Sequence, residues 1–443
     1  MSPITGSKST DAPFTIGVAL DGAGWHPAAW REPSSRAEAL FAAETWVELA
    51  ELAEAAGLDY LTIADELAPQ SDPAGADTDG STVLGRLDAA LLADWIAPRT
   101  SRIGLIPTVT TTHTEPFHVA TGLQTLDHVS TGRAGWQLRI SADAASAAAF
   151  GRRPAPEIDR DAVAFGAPDA GLDELLADAA DSAEAARRLW DSWEDDAEIR
   201  DAATGRFLDR DRVHPIDFAS ERFSIAGPSI VPRSPQGQLP IVVLAHSAPV
   251  AELAARVADV VIVTPESASP RAGAWRGRSV AEIVAGIRAI ERDPGIAEAR
   301  AASGLGRLRI VADLVLALDT AEEPAVERLV RLDALAGSPF AASSDARVLA
   351  GSADEAAELI AAWRAAGIDG VRLRPLTLPA DLRTIGAELL PILRERGIAA
   401  TPAGSTAGSA AGAEPDPTAH HLRTRFGLGR AGNRYDTRTE AAA

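Results

Sequence analysis

Short apolar runs rich in Val, Ile and Leu recur along the chain at 14–20, 60–64, 103–109, 134–140, 240–245, 260–264, 308–318 and 371–373. Runs this short, bounded by Gly, Pro, Asp and Ser, read as buried strands. Between them apolar residues fall at helical spacing, at 37–56 (stopped by Gly57), 87–96, 117–126 and 173–193. Eight such alternations predict an α/β fold, a (β/α)8 TIM barrel, whose ligand site is built by the loops that follow the strands.

Two stretches break the alternation. Residues 141–172 and 194–239 are rich in Asp, Gly and Pro and read as insertions after the fourth strand and before the fifth. Such insertions either cover the barrel mouth or decorate the surface. An irregular stretch at 335–352 is a candidate cap on the other side. The barrel is thus expected over 14–400, after a disordered 1–13 and before an Ala/Gly/Pro/Ser linker at 401–418 that cannot build a core. Beyond it, the arm 419–443 carries apolar and basic residues. It is suited to docking on its own barrel or on a neighbouring subunit, the alternative being a frayed terminus.

Composition narrows the chemistry. With 443 residues, 46% of them apolar, the chain can bury one large core. Its formal charge of −21 repels nucleic acid and anionic membranes. The absence of a long apolar run or an apolar leader makes a cytoplasmic protein the expectation. Cysteine is absent, which excludes disulfides, thiolate zinc, iron–sulfur clusters and Cys nucleophiles. Lysine occurs once, at Lys8, which argues against Schiff-base chemistry and a lysine-bearing phosphate loop. An organic cofactor or acid–base chemistry is left.

The segment 100–140, TSRIGLIPTVTTTHTEPFHVATGLQTLDHVSTGRAGWQLRI, is one strand, helix, strand unit with polar residues crowding its strand ends. Its T-x-x-I-G-L, Thr cluster, E-P-F-H and T-L-D-H-x-S-x-G-R-A-G-W, in this order, resemble the bacterial-luciferase-like flavin monooxygenases. The branch is the one containing nitrilotriacetate, dibenzothiophene-sulfone and long-chain alkane monooxygenases. The resemblance continues in the stretch from His26 to Arg31, in Ala64 and Asp65, in L-W-D-S-W at 189–193, in Ser234 to Gln236, and in the arm from Leu422 to Leu428.

That resemblance implies a two-component monooxygenase. Reduced FMN, made by a separate flavin reductase and arriving by diffusion, would react with oxygen at the barrel mouth to oxygenate a small organic substrate. A homodimer or tetramer is the family expectation. Ala64 and Asp65 take the positions beside the flavin ring, although Asp65 also suits a helix N-cap. Thr108 falls where a family threonine approaches the ring, and its hydroxyl can pair with a flavin carbonyl or N3–H. Thr110, Thr111 and Thr112 read as turn chemistry. His26, just after the first strand, is the weak candidate for a catalytic group, with packing as its alternative role; His113 and Glu115 also have acid–base side chains. His128 closes the third helix and belongs at the barrel bottom, a fold signature, while Asp127, Ser130 and Arg133 read as caps and ion pairs.

The chain departs from the family in two places. The fourth strand, usually G-W-N-V-V-T-S, here runs Gly135-Trp136-Gln137-Leu138-Arg139-Ile140-Ser141, and alternation puts Gln137 and Arg139 on one face. The phosphate loop, approximately A-G-x-S-x-x-G, here runs Ala245-His246-Ser247-Ala248-Pro249-Val250-Ala251, in which Pro249 removes a possible N–H donor. Two accounts stay open. Arg139, His246 and Ser247, with Ala248 at the helix start, form a replacement anion site, or the flavin pocket has degenerated and the barrel is a non-catalytic subunit. Use of the deazaflavin F420 for hydride transfer on the same barrel is a further alternative.

Overall fold

The computed structural model describes residues 13–68, 80–159, 163, 167–400 and 418–436. Most of the N-terminal stretch (1–12) and most of the linker (401–417) lie outside the described residues. Eight parallel strands form a closed ring: β1 (Thr15–Leu20), β2 (Tyr60–Ile63), β3 (Gly104–Thr110), β4 (Trp136–Arg139), β5 (Ile241–Leu244), β6 (Val260–Val263), β7 (Arg309–Leu318) and β8 (Gly370–Pro375). Each pairs with its neighbours in order; β1 closes on β8 in register Ile16 with Val371, and β6 pairs with β7. The molecule is therefore the (β/α)8 barrel that the alternation predicts. Helices cover the outer face and side chains fill the inner one, so β1 and all ten residues of β7 are buried, while β4 ends exposed at Arg139.

The helices begin and end on local signals. Ala43–Ala56 stops at Gly57, whose φ of 85° lets its N–H reach the carbonyls of Ala53 and Glu54. Ala89–Ile96 starts on the Asp88 carboxylate, Pro116–Val129 on Pro116, and the long Ala170–Asp191 on Asp169. Among the described residues no helix is long and apolar enough to cross a membrane.

The two insertions part company. Residues 141–159 follow β4 at the mouth, where Phe150 stacks on His113 and Arg153 pairs with Asp178. No residue of 194–239 lines the cavity at the mouth. The stretch leaves the C-terminal end of Ala170–Asp191 and enters the start of β5, and both points lie at the barrel bottom. There the Pro232 carbonyl accepts from Gln124 and His128, and the Gln236 amide donates to Asp127. The stretch also climbs the outside of Ala170–Asp191, where Arg222 donates to Glu174 and Asp181. The stretch 335–352 is more regular than its sequence suggests, holding a helical turn, Phe340–Ser343, and a strand, Arg347–Gly351, that pairs with the upper half of β7 outside the ring.

The described part of the arm plugs the bottom. Leu422 and Phe426 enter the ring and pack on Tyr60, Ile106, Val242, Val260 and Val311. The notch exists because Gly104, Gly132 and Gly135 carry no side chain: a Cβ at these positions would stand 2.5, 2.4 and 2.8 Å from Leu422 or His421.

Candidate active site at the barrel mouth

Alternation along the strands grades the interior from apolar to polar. Tyr60 is followed on β2 by Thr62, Ile106 on β3 by Thr108, Val311 on β7 by Asp313, and Gly370 on β8 by Arg372 and Arg374. Above this polar layer a cavity of about 380 Å³ opens at the C-terminal end of the strands. Its floor is Thr62, Thr108, Gln137 and Arg372. Trp25, Glu66, Arg139, His246 and Asp345 form the rim, with Arg374 buried between it and the floor, and Leu138, Ile140, Leu176, Val243, Val250 and Leu253 form an apolar wall.

The floor is held by ions. Arg372 donates through Nε and Nη2 to both oxygens of Asp313 at 2.7 Å, and through Nη1 to Gln137 Oε1 at 2.6 Å and Thr62 Oγ1 at 3.2 Å. Arg374 shares Asp313 and also donates to Asp345 Oδ1 at 2.6 Å, with its guanidinium 4.3 Å from the Trp25 ring centroid. His246 Nε2 stands 3.2 Å from Asp345 Oδ2, and Thr264 Oγ1 lies 3.3 Å from Nδ1. Burial pushes the Asp345 carboxyl up, but Arg374 and His246 outweigh it and hold it well below the usual carboxylate range. Two atoms are left over: Thr108 Oγ1 and Arg374 Nε are buried and have no hydrogen-bond partner among the described residues.

The fold gathers Ala64, Thr108, Gln137, Arg139 and His246 around this one cavity. Asp65 is not among its lining residues. Its carboxylate accepts from the N–H of Glu66 at 2.7 Å and of Ala89 at 2.9 Å, so it fastens the start of the helix after β2. Ser247 is the N-cap of Ala248–Val257 without a side-chain cap bond, and Ala248 is exposed beside it. Both precede Val250 of the cavity wall. Gly273, with φ of 56°, lets the loop after β6 back onto His246, whose carbonyl a Cβ would strike at 2.2 Å. His26 lies elsewhere. Its Nδ1 accepts from the Ala28 N–H at 3.0 Å, so Nε2 carries the proton and meets Asp333 at 3.1 Å, beside Phe340. Burial lowers its pKa, and it ties the loop after β1 to Ala325–Ala336.

Arg139, His246 and Ser247 do not converge as a free cationic set. Arg139 pairs with Glu66 and donates to the Asp65 carbonyl, while His246 faces Asp345. Two loop carboxylates, remote in sequence, spend the charge. At the bottom, Asp127 accepts from Gln236 and the Ala134 N–H, while Arg133 is no ion pair: its guanidinium fans onto the carbonyls of Ala97, Thr100, Ile103 and Ser130.

Trp25, Asp313, Asp345, Arg372 and Arg374 are mouth residues that the sequence reading passes over. The signal was present in V-R-L-R-P and V-A-D-L-V, charges at period two inside runs that are otherwise apolar on both faces.

A closed (β/α)8 barrel with a polar layer and a cavity at the C-terminal strand ends has the architecture of a barrel enzyme. Residues 23–370 match the model of the luciferase-like monooxygenases, and the chain belongs to that family. It is 29% identical to N-acetyl-S-(2-succino)cysteine monooxygenase of Bacillus subtilis (strain 168), over 95% of this chain and 98% of that one. It is 33% identical to nitrilotriacetate monooxygenase component A of Aminobacter aminovorans, over 57% of this chain and 54% of that one. In three dimensions it resembles long-chain alkane monooxygenase with a TM-score of 0.73 at 21% identity, covering 94% of this chain and 96% of that one, a likeness of fold.

Proposed function

We propose that the protein is the oxygenase of a two-component system, taking reduced FMN from a separate reductase and using O2 to oxygenate a small organic substrate. The observation that carries this reading is the unpartnered Thr108 hydroxyl, buried beside Ala64 and Gln137 on the floor of a cavity whose volume lies in the range that holds organic ligands. The residues fit a flavin. Ala64 leaves room for a planar ring, Thr108 and the Gln137 amide offer polar atoms to its edge, and the apolar wall covers a face. The first-turn N–H groups after Ser247, less the one Pro249 lacks, suit a phosphate at a helix N-terminus. Arg139 and His246 add little there, since Glu66 and Asp345 already engage them.

Reduced flavin, when bound, supplies the two electrons by which O2 is divided between substrate and water. The chain's own part is to bind and orient and to keep water out, for which the apolar wall is suited; the 141–159 segment, which packs on the loop after β3 through Phe150 on His113, is the candidate cover. The first substrates to try are those in the relatives' names, N-acetyl-S-(2-succino)cysteine and nitrilotriacetate.

Anaerobic titration with reduced FMN and with reduced F420, followed by protein fluorescence, tests the reading. Micromolar binding of reduced FMN is expected, with a loss of about 2- to 10-fold in Thr108→Val, the worth of one hydrogen bond, and little change in thermal midpoint. Preference for F420 would move the protein to hydride transfer, and binding of neither would make it a non-catalytic barrel.

A further inference from the structure

The polar layer carries an uneven charge. Among the described residues it holds two guanidiniums, Arg372 and Arg374, at 2% and 1% exposure, and one interior carboxylate, Asp313, shared between them. A second cation so deep calls for a second anion. Asp345 supplies it from outside the ring, on the loop between Phe340–Ser343 and Arg347–Gly351, with its side chain 26% exposed where that of Asp313 is 0%.

The grip of Asp345 on Arg374 is incomplete. It takes Nη1 and Nη2, while Arg374 Nε is buried without a partner among the described residues. That nitrogen and the Thr108 hydroxyl are two unsatisfied buried polar atoms on residues of the same cavity. Asp313 already holds Nη2, so an incoming carboxylate takes the Nη1–Nη2 edge that Asp345 leaves, and the Trp25 ring over the guanidinium face keeps that in-plane approach open. At the rim Arg139 is already balanced by Glu66.

We propose that Asp345 stands in for a substrate carboxylate: the Arg374–Trp25 corner is a subsite for a carboxylate-bearing substrate, which displaces Asp345 from Arg374 and leaves it on His246. The word substrate rests on the oxygenase reading; the binding chemistry does not. Asp345 is then a built-in competitor, and its removal tightens binding because less of the protein is in the occluded state.

The test is calorimetric titration of the full chain, without flavin, using N-acetyl-S-(2-succino)cysteine, nitrilotriacetate and succinate, with dimethyl succinate as the neutral control. At least one acid binds and the ester does not. Asp345→Ala tightens the binding acid by roughly fivefold or more, and adding Arg374→Gln abolishes that gain. Where the double variant does not fold, Asp345→Ala alone decides. Absence of acid binding at millimolar concentration, ester binding equal to acid, or an Asp345→Ala variant that binds no tighter overturns the proposal. Acid binding without reduced-FMN binding would sink the oxygenase reading alone, and the reverse would sink this one alone.

Discussion

At the bottom of the barrel Tyr60, Ile106, Val242, Val260 and Val311 close on Leu422 and Phe426. The arm's backbone is tied down there: the Leu422 N–H donates to the Gly132 carbonyl and the Phe426 carbonyl accepts from Arg309. Two residues further along the strands stand Thr62, Thr108, Asp313 and Arg372, ionic, partly unsatisfied and open to a cavity. The Tyr60 hydroxyl, buried without a partner among the described residues, marks the boundary. One ring of strands thus uses its lower layer as ordinary core. Its upper layer keeps polar atoms dry at a cost in stability that a bound ligand would recover. Conserving barrel stability and binding a ligand are jobs done by different layers of the same strands.

The contrast can be broken at its strongest point by Asp313→Ala, which leaves Arg374 on one partly exposed carboxylate and Arg372 on the neutral Gln137 and Thr62 alone. We expect a loss of about 3–5 kcal/mol in urea unfolding; a loss under about 1 kcal/mol would mean that the polar layer is already wet. Phe426→Ala comes next. It should cost about 3 kcal/mol through the cavity it leaves in the plug yet keep reduced-FMN affinity unchanged, and a parallel loss of affinity would show that the two layers are not separable.

The smallest effect belongs to the rim. The depressed pKa of Asp345 gives it a stabilising contribution that is complete above its unfolded pKa, near 4, and lost as pH falls through the lower folded value. Asp345→Asn should therefore lower the thermal midpoint by about 1–2 °C at pH 7, a difference that shrinks at pH 3. A difference that instead grows on acidification would refute the sign of the shift.

Much of the barrel is legible because each strand is a short β-branched run and each helix has its own stop, as Gly57 shows. The last strand reads short, at 371–373, because Arg372 and Arg374 interrupt the apolar pattern, whereas the structure extends it over Gly370–Pro375. Thr108, Gln137 and Ala64 could be placed at the mouth from their position at strand ends, since parity alone turns them inward. Arg139 and His246 could be placed there too, but not their partners, because Glu66 and Asp345 arrive on loops far away in sequence. Nor could sequence place the two ends of 194–239 at the barrel bottom, since that follows from where Ala170–Asp191 ends in space.

The sequence by itself determined the eight alternations, the family motifs of 100–140 and the absence of thiol and lysine chemistry, because periodicity and composition are local properties. Only the tertiary structure decided which carboxylate meets which arginine, that three glycines form the seat of His421 and Leu422, and that Thr108 Oγ1 and Arg374 Nε are left unpaired at the mouth. Those are pairings between strands and loops brought together by closure of the ring, and burial and charge compensation exist only once that ring is closed.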